Sequence, residues 1–136
     1  YAVVEEKSVI GPYAHLRSGT KVGKECRVGN FVETKKAVIG DKSKAAHLSY
    51  LGDVKIGKEV NIGCGTVTCN YGPDRKKRQT NIGDRSFIGS GSQLVAPVTV
   101  QSDSIVGAGS VITKDVPEGH LALERSDQKN VKRKKK

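Results

Sequence analysis

The sequence contains no methionine and no tryptophan, and aromatic residues make up only 4% of its 136 positions. A thick core built on large rings is therefore excluded, and Val, Ile and small residues must fill the interior. No run of eighteen apolar residues occurs, which removes a membrane-spanning helix. No stretch places apolar residues at i, i+3, i+4 and i+7, which removes amphipathic helices. The start carries no signal-peptide pattern. The three cysteines, Cys26, Cys64 and Cys69, cannot all pair and fit no zinc-ligand spacing, so a reducing, cytoplasmic setting is expected. The three histidines recur at no spacing that would build a His-rich metal site, and no metal is expected.

Acidic residues are also in short supply, leaving a net charge of +10. Five of those charges lie in the tail at 132–136 and four more at 75–78. The excess is thus confined to a tail and one loop, and such runs are usually solvated. Nucleic-acid binding would want stacking aromatics beside the charge, and only Tyr71 is close. A small phosphorylated ligand is the better reading. At this length one domain is expected. The chain opens on Tyr1 and is already in repeat phase by Val4, and it reads as a piece of something longer.

What the sequence has in abundance is a period of six. Rungs run through Val4, Ile10, Leu16, Val22, Val28, Thr34, Ile39, Ala45, Leu51, Ile56, Ile62, Thr68, Ile82, Ile88, Leu94, Val100, Val106 and Ile112. Fifteen of these eighteen are Val, Ile or Leu, and ten are followed by Gly. The residue four after a rung is usually small or β-branched, as at Thr20, Cys26, Val32, Ser43 and Thr66. A hexapeptide period predicts an all-β parallel β-helix, with three hexads closing each triangular coil. The expected prism occupies residues 1–117, with a C-terminal arm and basic tail over 118–136.

Grouped in threes, the rungs expose three hexads of unusual length. Two have five residues, 34–38 and 51–55, and one, 68–81, has fourteen. Each is the third hexad of its coil, so all three changes fall on one edge, which marks a candidate functional edge. Arg17, Lys35, Asn70 and Tyr71 lie in third hexads, and Tyr50 immediately precedes one. Arg17, Lys35 and the loop residues Lys76 and Lys77 suit a phosphate. A second column, two residues after the second rung of each coil, reads Pro12, Asn30, His47, Cys64, Ser90 and Ala108. Small side chains leading to a histidine suit a long thin ligand such as pantetheine, and His47 is the candidate general base.

Five segments resemble one family. They are Gly29-Asn30-Phe31-Val32-Glu33-Thr34-Lys35-Lys36; residues 47–53; Asn61-Ile62-Gly63-Cys64-Gly65-Thr66; Thr68-Cys69-Asn70-Tyr71; and Gln93-Leu94-Val95-Ala96-Pro97-Val98. Together they resemble the C-terminal domain of the bacterial bifunctional N-acetylglucosamine-1-phosphate uridyltransferase/glucosamine-1-phosphate N-acetyltransferases, over the whole chain to about Arg125. The resemblance implies a left-handed parallel β-helix forming a homotrimer with sites between subunits. It implies transfer of acetyl from acetyl-CoA to the amine of glucosamine 1-phosphate, for UDP-N-acetylglucosamine and cell-wall synthesis. Magnesium would belong to the uridyltransferase domain, which these residues do not contain.

By position, His47 matches the family's general base. Arg17, Lys35, Tyr50 and Asn61 match residues holding the sugar phosphate, and Lys76 is the expected loop lysine there. Asn70 and Tyr71 match residues at the acetyl end, with Asn70 orienting amine and acetyl group. Cys64, Ser90, Ala108 and Arg125 match the acetyl-CoA side, Arg125 on an arm reaching a neighbouring subunit. The loop departs from the family pattern, since Gly72-Pro73-Asp74 follows Asn70-Tyr71 where Asp-Gly is usual. Two other readings remain open: a prism acetyltransferase with a different acceptor, and a non-catalytic trimerisation prism.

Overall fold

The computed structural model describes residues 1–135; Lys136 of the expected basic tail lies outside them. All described regular structure is strand. The first coil is β1 (Val3–Val4), β2 (Val9–Ile10) and β3 (His15–Leu16). The second is β4 (Lys21–Val22), β5 (Arg27–Asn30) and the start of β6 (Glu33–Ile39), which continues into the third coil. There follow β7 (Lys44–His47) and β8 (Tyr50–Ile56), then β9 (Asn61–Ile62) and β10 (Val67–Cys69) of the fourth coil. The fifth coil is β11 (Thr80–Ile82), β12 (Phe87–Ile88) and β13 (Gln93–Val95). The sixth is β14 (Val98–Val100), β15 (Ile105–Val106) and β16 (Val111–Ile112), and β17 (Leu121–Ala122) stands beyond it.

All strand pairs are parallel and connect one coil to the next. The second face is a single ladder, β2-β5-β7-β9-β12-β15-β17. Rung sits on rung: Val22 on Ile39, Val28 on Ala45, Thr34 on Leu51 and Ile88 on Val106. Alternation then sends the rungs beyond the exposed Val4 of the first coil, and the residues two before them, toward the interior. Val22, Val28, Leu51, Ile88 and Leu94 are buried, and so are Thr20, Cys26, Ser43, Thr66, Ser92 and Ser110 between them. Each fully buried Val, Ile or Leu contributes about 1.5–3 kcal/mol of burial. Interior polar atoms other than Thr80 Oγ1 are bonded locally: the Ser43 hydroxyl donates to Gly57 O at 2.7 Å and accepts from Val60 N at 3.0 Å. Cys26 is core, as expected; its thiol donates to Gly40 O at 3.1 Å, and burial pushes its pKa up.

The glycine after a rung answers the close approach of the next coil. A Cβ on Gly89 would meet Ala108 Cα at 2.7 Å, and no rotation relieves a backbone clash. The short hexads have a different effect. Dropping one residue removes the turn, so β6 and β8 run unbroken around the third corner, paired from Glu33↔Tyr50 to Ile39↔Ile56. The bend is taken at Lys36 (φ 45°) and Asp53 (φ 47°), both in left-handed backbone.

The stack runs past residue 117. Val116 pairs with Val100 and β17 with β15, placing Ala122 above Val106 in a partial seventh coil. The four-residue step from Ile112 to Val116 breaks the period there, which conceals this coil in the sequence.

Candidate active site

The third face carries the cations. Leu16, Thr34 and Leu51 are stacked rungs, so the residues that follow them, Arg17, Lys35 and Gly52, stack as well. Arg17 is half-buried; its backbone N–H donates to Thr34 O at 2.8 Å, and Nη1 lies 3.3 Å from Glu33 Oε1. The loop ammonium that meets Lys35 is that of Lys77. This contact, with partial desolvation and the charge of Arg17, holds Lys35 below the ordinary lysine pKa, while Asp53 acts in the opposite direction. Lys76, the loop lysine that the resemblance places at this point, is held in the loop through its backbone: its N–H donates to Asp74 Oδ1 at 3.1 Å and its carbonyl accepts from Gly72 N at 3.0 Å.

The fourteen-residue excursion rises from the same corner. Arg78 N donates to Asn70 O at 2.8 Å, closing the base, and Tyr71 bridges antiparallel to Lys77. The Arg78 guanidinium forks onto Asp74 and holds its carboxyl down at about 2. Inside the base, Asn70 is 6% exposed. Its Nδ2 donates to Asp53 Oδ2 at 2.6 Å and to Tyr50 Oη at 3.4 Å. Gly52 leaves room for this crossing: a Cβ there would lie 2.7 Å from both Asn70 Nδ2 and Tyr50 Cζ. Tyr71 points outward and is exposed.

The second face carries the histidine. His47 ends β7, in register with Asn30, and is exposed. Above it the small-residue column is confirmed by its backbone: Gly91 N donates to Cys64 O, and Gly109 N to Ser90 O, both at 2.8 Å. Arg125 continues this series, Nη1 donating to Ala108 O of its own chain at 2.7 Å. Cys64, Ser90 and Ala108 are all exposed. Between His47 and Tyr50 lies the corner at Leu48 (φ 38°) and Ser49, whose hydroxyl donates back to His47 O at 3.0 Å. The next two corner residues along the stack toward the N-terminus, Tyr13 and Phe31, are exposed and stacked with ring centroids 5.6 Å apart. Asn61 stands apart, at the start of the second face, paired with Lys44 and Phe87.

Within one chain the structure thus gathers Arg17, Lys35, Tyr50 and Asn70 on the third face, with His47, Cys64, Ser90, Ala108 and Arg125 on the second. Asp53 and Glu33 were not singled out as site residues from the sequence, and Lys77 was named only together with Lys76. Asp53 and Lys77 carried a usable signal, since both lie in the hexads of irregular length.

The bacterial transferase hexapeptide (six repeats) family matches residues 1–36 and 79–114. Bifunctional protein GlmU of Thermodesulfovibrio yellowstonii is 57% identical over 128 residues, 94% of this chain and 28% of that protein. Bifunctional protein GlmU of Pelobacter propionicus is 58% identical over 121 residues, 89% of this chain and 26% of that protein. The chain therefore spans about a quarter of the length of these relatives. Among solved structures, GDP-perosamine N-acetyl transferase from Caulobacter crescentus, in complex with CoA and GDP-perosamine, aligns with a TM-score of 0.76 at 25% identity. It covers 90% of this chain and 54% of that one. AntD, an N-acyltransferase from Bacillus cereus, shares the fold with a TM-score of 0.80 at 19% identity, covering 98% and 84%. With the matched repeats taking in more than half of its residues, the chain belongs to the bacterial transferase hexapeptide family.

Proposed function

We propose that this chain transfers the acetyl group of acetyl-CoA to the 2-amine of glucosamine 1-phosphate, giving N-acetylglucosamine 1-phosphate. It would act as the acetyltransferase part of a cytoplasmic bifunctional enzyme serving UDP-N-acetylglucosamine synthesis. The observation that carries this is the meeting of Arg17, Lys35 and Lys77 at one corner, one face away from an exposed histidine. Three cations around one point suit a phosphate monoester, and a guanidinium among them can bind it through two oxygens. The names of the relatives and of the CoA-bound structures support the same chemistry.

The reaction needs little covalent machinery. His47 accepts a proton from the amine, which attacks the thioester carbonyl. The tetrahedral intermediate collapses, the C–S bond breaks, and the CoA thiolate leaves to take up a proton. Positioning both substrates supplies most of the advantage. The small column Cys64-Ser90-Ala108 offers a thin path on which pantetheine amides can bond the backbone. Arg125 would sit at its far end, beside Ala108. Of the two loop lysines that suit a phosphate, Lys77 takes the role that the resemblance gives to Lys76, and Tyr50 and Asn70 complete the acceptor pocket. Asn61, remote from that pocket within the chain, would reach it from a neighbouring copy in a homotrimer. A trimer would also cover the exposed Tyr13, Phe31 and Leu48.

The test is CoA thiol release from acetyl-CoA, comparing glucosamine 1-phosphate, glucosamine and no acceptor. Release is expected with the phosphorylated amine, and should fall about 10²–10⁴-fold in His47→Ala with acetyl-CoA affinity retained. Cys64→Ala should keep turnover, since Cys64 is assigned no nucleophilic role. No release from a folded trimer would leave a scaffold, and release with another acceptor would reassign the substrate.

A further inference from the structure

Asp53 has no assigned task. It sits at the turnless third corner in left-handed backbone (φ 47°), fixed on one side by Gly52, whose N–H donates to Thr68 Oγ1 at 2.8 Å. Its carboxylate lies among Lys35 and Lys77, where a negative charge works against a phosphate ligand. A group that opposes the ligand in charge needs another reason to be there. That reason lies in its contact with Asn70 Nδ2 at 2.6 Å.

An ionised carboxylate only accepts hydrogen bonds, so it forces the amide nitrogen, rather than the oxygen, of Asn70 to face it. The second proton on that nitrogen then points to Tyr50 Oη, 3.4 Å away. Having accepted from inside, the tyrosine hydroxyl directs its own proton outward. Resting on the acceptor assignment above, we propose that Asp53 is a positioning residue that sets this polarity. Through Asn70 it keeps the Tyr50 proton free to donate outward, favouring an acceptor that presents an anionic oxygen. The chain carboxylate–amide–phenol explains why a buried asparagine and an acidic residue stand at the foot of a cationic pocket.

The test is a double-mutant cycle of Asp53→Asn and Tyr50→Phe. Asparagine tolerates the left-handed backbone but can present either end of its amide to Asn70, so the imposed polarity is lost. The KM for glucosamine 1-phosphate should rise about tenfold in D53N, with KM for acetyl-CoA, trimer mass and melting temperature unchanged. Charge alone predicts the opposite sign, because removing an anion from a cationic pocket tightens phosphate binding. In D53N/Y50F the rise should not exceed that of Y50F alone. A lowered or unchanged acceptor KM in D53N, a parallel rise for acetyl-CoA, or full additivity with Y50F would overturn the proposal. Should D53N fail to fold, D53G, which keeps the left-handed backbone, is read by the same criteria. Wild-type protein that turns over a different acceptor would displace the substrate assignment instead, before any variant is compared.

Discussion

Lys35 is poised by its neighbours. Crowding by Lys77 chiefly, then desolvation and Arg17, lowers its pKa, and Asp53 only partly offsets them. On the proposed function the protonated form is the one that binds phosphate, so acceptor affinity should be lost as pH rises through a value below 10.5. Lys77→Ala should move that alkaline limb of kcat/KM to higher pH while weakening acceptor binding at neutral pH; a pH–rate profile checks both. The sign for stability is separate. A lysine depressed in the folded state disfavours folding below its folded pKa, and the penalty fades as pH rises toward the ordinary value. Much of this pocket was legible beforehand: Arg17, Lys35, Tyr50 and Asn70 fall on one edge by counting rungs. Asp53 was not singled out, and nothing chose Lys77 over Lys76, for a physical reason. Counting locates a residue on a coil, but it does not say that a five-residue hexad abolishes the turn. Nor does it say how an excursion folds back onto the stack.

The excursion is an element in its own right, with its own clamp. Its base is the Arg78 N to Asn70 O bond, and the Asp74–Arg78 pair ties its turn back to that base. Because the Asp74 pKa is depressed to about 2, this contact contributes above the ordinary 3.8 and is lost as pH falls through about 2. Both partners are solvent-facing, so the contact orders the loop and adds little to the prism. Asp74→Asn should therefore speed tryptic cleavage after residues 75–78 several-fold while the β-sheet circular dichroism and melting temperature stay unchanged. A matching loss of global stability would mean that the clamp holds the stack. The strands themselves were readable because their period is enforced by close packing against the next coil. The seventh partial coil was hidden by its shortened approach at residues 112–116, where stacking needs a neighbour below rather than a sequence period.

As a whole the molecule is one-dimensional. Each coil touches only the coils beside it, and the core is a column of rungs with no second layer. Ile82 still lands on Ile56 despite the intervening loop, so a coil can vary widely in length without displacing those above it. That tolerance has a mechanical counterpart. Pulled by its ends, such a chain should peel coil by coil, releasing a length set by residues per coil. The 18 residues from Val4 to Val22 give about 60 Å of contour, and the 26 from Ile56 to Ile82 about 90 Å. A force–extension trace should therefore contain one long step among short ones. That step would mark, along the axis, the coil that carries the fourteen-residue excursion.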